Sequence, residues 1–323
     1  MLIYIKNKGQ GNKTIKKFYF FAYFCYKGDA NIIEEKYYKV WLTLIKNLGM
    51  KRYTNLMDKF KDRKNIYHAK ENQLYECEGI GENIAKQLLD DNIKINAKRH
   101  LQFMIRNNID IISIEDTEYP KLLRTIYDPP VNLYIRGNKQ ILNELNLAVI
   151  GCREATEYGK KIAQEFSYKL SKEKINIVSG LARGIDSYAH LGAVYAKGKT
   201  IAVLGNGLDV IYPKENFFLV ERIIENGGAI ISEYPLGFRP DKLNFVARNR
   251  IISGISKGVL VVEAKKKSGT LITVDFALEQ GRDVFAVPGS IVSENSFGTN
   301  ELIKQGAKVV TCYEEILEEY SYI

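Results

Sequence analysis

Short apolar stretches alternate with amphipathic stretches over the second half of the chain. From Asn146 onward the apolar stretches are rich in β-branched residues: LAVIG, INIVSG, TIAVLG, AIISE, VLVVEA, DVFAVPG and KVVT. Such runs are typical of strands that are buried on both faces of a parallel sheet. Helical spacing between them predicts helices at Tyr158–Ser171, Ser187–Ala196, Phe217–Glu225, Asn249–Ile255, Leu271–Gln280 and Asn300–Lys304. The alternation predicts an α/β fold, a doubly wound Rossmann-like domain with a mainly parallel sheet.

The first third of the chain has a helical pattern instead. Apolar residues recur at helical spacing from Glu34 to Met104, including a helix over Tyr53–Phe60 and another that follows Gly79-Ile80-Gly81. A glycine turn between two helices resembles a helix-hairpin-helix, whose backbone N–H groups can contact a phosphate. The alternative is a tight corner in a small bundle, and the scarcity of basic residues near the turn favours it.

The two patterns divide the chain into a small all-α domain at residues 31–108 and the α/β domain at 109–323. Strand signals at Asp110–Ile114 and Val131–Ile135 predict an edge hairpin between them. Residues 1–30 contain the aromatic run FYFFAYFCY, which is far shorter than the ~20 residues of a membrane span. A signal peptide is one interpretation of this segment; a poorly packed extension from an upstream start codon is favoured, because no A-x-A-like site follows.

The amino-acid composition limits the classes of function that the chain can have. The chain has 323 residues, is 46% hydrophobic and carries a net charge of +9, which favours nucleic acid, an anionic ligand or a membrane surface as partner. The alternative is that the positive charge reflects only a lysine-rich composition and indicates no particular binding partner. The four cysteines have no CxxC spacing and the three histidines form no metal motif, so we expect a reduced cytoplasmic protein with no metal and no cofactor. The sequence shows no recognisable set of catalytic residues for hydrolysis. The single carboxylates Glu233 and Glu263 are expected to have structural roles.

Cationic and aromatic residues follow the predicted strands, at the sheet edge where open α/β proteins bind ligands. We expect the loops after Ile201–Leu204 and Ala229–Ile231 to form a basic groove for an anionic polymer, with residues Lys214, Lys242, Phe245, Arg248 and Arg250. The ring of Phe245 would stack on bases. Arg153 follows the first strand and offers a planar fork to a phosphate, or else pairs with Glu154.

Loops of small residues are expected to cradle anions with their N–H groups. They comprise Gly151, then Ser179, Gly180 and Gly184, and finally Ser268, Gly269 and Thr270. Asp186 is placed as a helix N-cap. His190 is expected to be a packed, hydrogen-bonded residue and not a base.

Many of these motifs, in this order, resemble the DNA-processing protein A (DprA/Smf) family. The resemblance rests on SGLARGID, GKTIAVLGNGLDVIYP, SEYPLG, RNRIISG, VLVVEA, SGTLIT, GRDVFAVPG and GTNELIKQGA, and it covers about Glu34 to Glu319. It implies an extended Rossmann-like domain behind a small helical SAM-like domain, with no nucleotide required. It also implies a homodimer that binds single-stranded DNA, protects incoming strands and loads RecA during natural transformation.

By motif, the resemblance implies that Arg153, Lys214, Lys242 and Phe245 hold the strand, with Arg248 and Arg250 contacting or shaping the pocket. Cys152 stands where serine is usual in the family, and Val246 where proline is common; neither change removes a charge. We expect no winged-helix tail of the kind that some members carry. The terminal helix near Glu314–Tyr320 is a candidate interface for the dimer or for RecA.

An enzyme is the alternative function. The glycine-rich loops also resemble nucleotide-binding Rossmann proteins that cleave nucleoside monophosphates to free bases. Those proteins usually carry PGGxGT, whereas the comparable stretch here is KKKSGTLIT, which lacks the double glycine. We therefore expect no turnover of nucleoside monophosphates.

Overall fold

The computed structural model describes residues 30–320, so the aromatic run near the N-terminus lies outside the described residues. Six helices come first: α1 Ala30–Thr43, α2 Gly49–Phe60, α3 Arg63–His68, α4 Glu71–Tyr75, α5 Glu82–Leu89 and α6 Asp91–Arg106. The strands are β1 Ile109–Ser113, β2 Asn132–Gly137, β3 Asn146–Gly151, β4 Asn176–Ser179, β5 Thr200–Leu204, β6 Ala229–Ser232, β7 Gly258–Glu263, β8 Asp283–Ala286 and β9 Lys308–Val309. The remaining helices are α7 Lys121–Arg124, α8 Glu157–Lys172, α9 Ile185–Tyr195, α10 Phe217–Glu225, α11 Lys242–Gly254, α12 Gly269–Glu279, α13 Phe297–Lys304 and α14 Glu314–Tyr320, with short 3₁₀ segments at Lys139–Asn143, Lys214–Asn216 and Glu294–Ser296.

All the strands belong to one nine-stranded sheet of order β1-β2-β6-β5-β4-β3-β7-β8-β9. Strands β3 to β9 pair in parallel, and β1 and β2 add an antiparallel pair at the edge next to β6. The predicted mainly parallel α/β fold is confirmed. The chain order reverses beside β3, which has β4 on one side and β7 on the other. In open α/β sheets such a reversal leaves a crevice at the carboxyl ends of the strands.

One hydrophobic cluster joins the helical part to the sheet. Trp41 and Leu101 of the helices and Ile111 and Leu204 of the strands belong to it. The predicted domain boundary lies between α6 and β1, and the buried apolar contacts cross it. Burial of this kind, at roughly 25 cal/mol per Å² of apolar surface, holds the helical part against the sheet. The division into two domains remains a prediction.

The helix after β6 begins seven residues earlier than the apolar pattern predicted, at Lys242 instead of Asn249. Its start is set by Asp241, whose carboxylate accepts a hydrogen bond from the backbone N–H of Leu243 at 2.8 Å. Its first two turns, KLNFVAR, mix polar and apolar residues and bury no apolar side chain, so the hydrophobic periodicity missed them. Lys242 and Phe245 were placed in a loop by the sequence and are in fact on a helix.

The Gly79-Ile80-Gly81 turn is a tight helical corner. Arg52 Nε donates to the carbonyl of Gly79 at 3.0 Å, and the carboxylates of Glu78 and Glu82 belong to the hollow beside the turn. Glu78 is paired with Lys51 at 3.6 Å and Glu82 with Lys86 at 2.5 Å. The helix-hairpin-helix interpretation stays a prediction. Among residues 30–320, no helix is both long and apolar enough to cross a lipid bilayer.

Candidate nucleic-acid interface

A pocket of about 430 Å³ opens at the carboxyl ends of β3, β4 and β7, at the point where the strand order reverses. Each of these strands is followed by a polar turn that contributes to it. The residues after the strands are Gly151 to Glu154, Ala182 and Asp186, and Lys265 with Ser268 to Thr270, while α11 supplies Lys242, Phe245, Val246, Arg248 and Asn249. Three connections and one helix therefore bring most of the predicted binding residues to one place.

The period of α11 determines which of its side chains face the pocket. An α-helix turns by about 100° per residue, so Lys242, Phe245 and Asn249 follow one another along a single face. Arg248 and Arg250 are two residues apart and project in directions about 200° apart. Arg248 lines the pocket and Arg250 does not.

Arg248 forms a fixed cation at the floor of the pocket. Its side chain is only 4% exposed, and Nη1 donates to the carbonyl oxygen of Gly180 at 2.8 Å and to that of Val203. Burial lowers the pKa of Arg248 to about 10, and the charge of Asp186 acts in the opposite direction. The guanidinium therefore stays protonated at neutral pH. A Cβ at Gly180 would lie 2.5 Å from Nη2, so a glycine is required there for the guanidinium to fit.

Asp186 is not the N-cap that the sequence predicted. The N-cap position of α9 is Gly184, and Asp186 lies inside the first turn. Its carboxylate accepts from the backbone N–H groups of Gly180 at 3.1 Å and Ala182 at 3.3 Å. Burial raises the pKa of Asp186, and Arg248 opposes that shift. The carboxylate thus occupies the position that an external anion was expected to fill.

The loop after β4 consequently shapes the pocket. The hydroxyl of Ser179 donates to the carbonyl of Val149 at 2.7 Å, and the N–H of Gly180 is bonded to Asp186. Gly184 has a φ of +76°, and a Cβ there would lie 2.3 Å from the carbonyl oxygen of Cys152. Glycine at this position lets the loop after β4 approach the turn after β3, which carries Arg153.

The start of α12 retains hydrogen-bond donors for an anion. Ser268, Gly269 and Thr270 all line the pocket, and the first N–H groups of an α-helix have no acceptor within the helix. The side-chain oxygen of Ser268 is buried without a hydrogen-bond partner in the described part of the chain. The positive end of the helix dipole adds to these donors.

An arginine and two aromatic rings form a contact group beside the pocket. The guanidinium carbon of Arg153 lies 5.6 Å from the centroid of the Phe245 ring. On Phe245 the ring of Tyr212 is stacked at 5.6 Å between centroids, with 25° between the planes. Glu154 forms its ion pair with Lys265 at 3.1 Å, which does not support the alternative pairing of Arg153 with Glu154.

Two predicted binding residues lie apart from the pocket. Lys214 is exposed on the 3₁₀ segment that follows Tyr212-Pro213. Arg250 donates through Nη1 and Nη2 to the two carboxylate oxygens of Glu233, both at 2.7 Å, and its Nε lies 3.3 Å from Asp128 Oδ2. Burial by itself would lower the pKa of Arg250, but the hydrogen bonds to Glu233 and its charge raise that pKa above the usual value. Its charge is compensated within the protein.

The sequence profile of DNA recombination-mediator protein A matches residues 110–321, from β1 to the end of the described chain. The chain belongs to this family. The predicted family and its Rossmann-like fold are therefore confirmed.

Two relatives are similar to this chain over 210 and 215 residues. DNA processing protein DprA of Streptococcus pneumoniae is 48% identical over 210 residues, which cover 65% of this chain and 74% of that protein. Protein Smf of Escherichia coli is 47% identical over 215 residues, covering 67% of this chain and 58% of that protein. The chain thus spans less than two thirds of the E. coli relative.

Two solved structures are similar to this member of the DNA recombination-mediator protein A family. The X-ray structure of DprA from S. pneumoniae has a TM-score of 0.71 and 37% identity, and covers 88% of this chain and 97% of that chain. A structure of DNA processing protein A from Helicobacter pylori has a TM-score of 0.59 and 32% identity, and covers 66% of this chain and 96% of that chain. The latter concerns the single-stranded DNA binding mode of the H. pylori protein.

Three roles predicted from the sequence can be compared with the hydrogen bonds of the structure. Glu263 accepts from the backbone N–H of Thr156 at 3.0 Å and from its hydroxyl, so it supports the start of α8. Glu233 is the partner of Arg250, and the imidazole Nδ1 of His190 lies 2.7 Å from the hydroxyl of Thr200. The histidine is packed and hydrogen-bonded as predicted, and both carboxylates make hydrogen bonds within the protein.

The sequence interpretation did not assign a role to Tyr212. Its only sequence signal is an aromatic residue two positions before Lys214, in the loop after β5.

Proposed function

We propose that the pocket binds single-stranded DNA and that the protein is a recombination mediator whose activity is binding, not a chemical reaction. The observation that carries this proposal is the convergence of Arg153, Lys242 and Arg248 around the ring of Phe245, at the N-terminus of α12. The H. pylori relative, whose structure concerns binding of single-stranded DNA, supports it.

Each part of the pocket has a distinct role. Arg153 is exposed and offers a planar fork to a phosphate, and Lys242 adds an exposed point charge at the start of α11. Arg248 is held by backbone carbonyls and contributes a fixed positive potential from below. The N–H groups at the start of α12 complete the cradle for an anionic oxygen. We assign Arg250 to stabilising the fold and not to contacting the strand, because it links α11 to Glu233 after β6 and does not line the pocket.

A preference for single strands follows from the aromatic group. A base can stack on a side-chain ring only when its own face is free, and in a duplex both faces of a base are covered by its neighbours. Stacking contributes about 1–3 kcal/mol per base and tolerates any sequence. We therefore propose binding with little sequence preference, dominated by phosphate contacts and stacking.

Membership of the family supports a further step. We propose that the protein acts as a homodimer in the cytoplasm and delivers the bound strand to a RecA recombinase during uptake or recombination of DNA. The match to a recombination-mediator profile supports this role. A strand-exchange assay with RecA of the same host and a competing single-strand-binding protein tests it; unchanged RecA filament formation on adding the chain would contradict it.

Binding is tested by fluorescence anisotropy with a labelled oligo-dT strand at several salt concentrations. Loss of a charged phosphate contact costs about 1.5–3 kcal/mol, so Lys242→Ala and Arg153→Ala should each weaken binding roughly tenfold or more. Each lost contact should also reduce the slope of log affinity against log salt by about 0.7.

Lys172→Ala is the matched control, because Lys172 is the last residue of α8 and lies near the amino ends of the strands, away from the pocket. It should leave binding unchanged. Two results would refute the proposal: a duplex of the same length that binds as tightly as oligo-dT, or a double variant of Arg153 and Lys242 with the affinity of the unmodified chain.

A further inference from the structure

Tyr212 offers a more exposed ring than Phe245, the aromatic residue that the sequence predicted as the stacking partner. Tyr212 is 46% exposed, whereas Phe245 is largely covered by its neighbours. We propose that Tyr212 carries a base of the bound strand, with Phe245 as its support, and that it leads the strand from the pocket towards Lys214. This inference rests on the proposed binding of single-stranded DNA.

The surroundings of Phe245 limit what its ring can accept. The guanidinium of Arg153 lies 5.6 Å from its centroid and the ring of Tyr212 is also 5.6 Å away. At its edge, a Cβ on Gly205 would come within 2.7 Å of Phe245 Cδ1, so the ring packs directly on the backbone after β5. Phe245 is thus a supporting ring with three close neighbours.

Tyr212 has the geometry of a stacking platform. Its plane is within 25° of the Phe245 plane, so one aromatic group already supports it. The exposed part of the ring is available to a further flat group. Every base has a π-face that can continue such a stack, which makes the contact independent of sequence.

The segment that carries Tyr212 is anchored to the protein. Asn216 is buried, and its side-chain amide donates to the carbonyl of Leu181 at 2.8 Å and to the hydroxyl of Ser187 at 2.8 Å. Arg183 pairs with Glu215 at 2.7 Å. These bonds attach residues 212–216 to the loop after β4, so Tyr212 and Lys214 keep a defined position relative to the pocket.

The position of Tyr212 also explains how Lys214 joins the interface. Lys214 does not line the pocket, although it is exposed and cationic. Tyr212 contacts Phe245 on one side and is two residues from Lys214 on the other. A base on Tyr212 would place the next phosphate of the strand on the side of the interface where Lys214 lies. The pocket and this lysine then belong to one continuous path.

The test compares Tyr212→Ala, Tyr212→Phe and the control Tyr195→Ala, an equally simple truncation of a tyrosine that is 60% exposed at the end of α9. Affinity is measured by anisotropy for oligo-dT and for a strand of the same length that contains abasic residues. Tyr212→Ala should weaken binding of oligo-dT about fivefold or more, and Tyr212→Phe should retain binding. The salt slope should stay unchanged, because no charge is removed.

On the abasic strand, Tyr212→Ala should have a much smaller effect, since there is no base to lose. Equal losses on both strands, or an affinity for oligo-dT equal to that of Tyr195→Ala, would overturn the inference. Failure of the proposed function gives a different result, since the unmodified chain would then not bind oligo-dT in preference to duplex. If Lys242→Ala weakens binding and Tyr212→Ala does not, only the role of Tyr212 is refuted.

Discussion

Removal of Arg250 should destabilise the fold while leaving the proposed DNA-binding pocket intact. Arg250 donates to both carboxylate oxygens of Glu233 at 2.7 Å and, through Nε, to the carbonyl oxygen of Asp128 at 2.9 Å. The side chains of Arg250 and Glu233 are only 11% and 17% exposed. Arg250→Ala would therefore leave the Glu233 carboxylate without its cation in a largely dry position.

The expected magnitude follows from that burial. Breaking a buried pair by removing one partner costs about 3–5 kcal/mol. A domain of 150–250 residues loses roughly 2–4 °C in melting temperature per kcal/mol, so the variant should melt about 6–20 °C lower. Lys242→Ala, by contrast, removes an exposed lysine and should change the free energy of unfolding by no more than about 0.5 kcal/mol.

Urea denaturation and thermal unfolding followed by circular dichroism measure the stability. Anisotropy with oligo-dT, well below the melting temperature, measures binding. Glu233→Leu combined with Arg250→Leu is the control, because replacing both charges with apolar groups avoids the uncompensated carboxylate and should recover much of the stability. The reasoning fails if Arg250→Ala melts like the unmodified chain and loses DNA affinity as Lys242→Ala does.

Two further predictions concern buried positions. Burial, assisted by the charge of Arg248, lowers the pKa of His190 from 6.5 to about 3, so as the pH falls below about 6.5 the unfolded chain takes up the proton first. The free energy of unfolding should then fall by about 1.4 kcal/mol per pH unit, and His190→Gln should lose about 1 kcal/mol less than the unmodified chain between pH 7 and 5.5 in urea denaturation; equal losses would contradict this. Gly184→Ala should cost about 1–3 kcal/mol from backbone strain alone, with added cost from the clash at the carbonyl of Cys152, and an unchanged melting temperature would show that the loop relaxes freely.

The strand pattern could be predicted because it depends on local sequence. Strands buried on both faces need continuous apolar, β-branched runs, and those runs mark β3 to β7 within a residue or two. The start of α11 could not be found in this way, since its first turns mix polar and apolar residues and bury no apolar side chain. A helix boundary set by one capping carboxylate, that of Asp241, leaves little trace in the periodicity.

The two arginines of the RNR motif are equivalent in the linear chain. One becomes a cation of the pocket floor and the other a structural ion pair, because the helix directs them about 200° apart towards different strands. Their partners, the carbonyl of Val203 and the carboxylate of Glu233, lie 45 and 17 residues away in sequence.

Charge, aromatic content and the order of the motifs predicted a basic α/β protein of this family, with a binding site for an anionic ligand at the strand ends. The packing of elements distant in sequence then assigned the roles. In the loop after β4, backbone N–H groups donate to Asp186, whereas the N–H groups at the start of α12 stay available for a ligand. The same packing stacks the ring of Tyr212 on that of Phe245. The physical reason is that the sequence specifies the chemical type of each side chain, whereas the burial of that side chain and its hydrogen-bond partners depend on which strands and loops pack beside it.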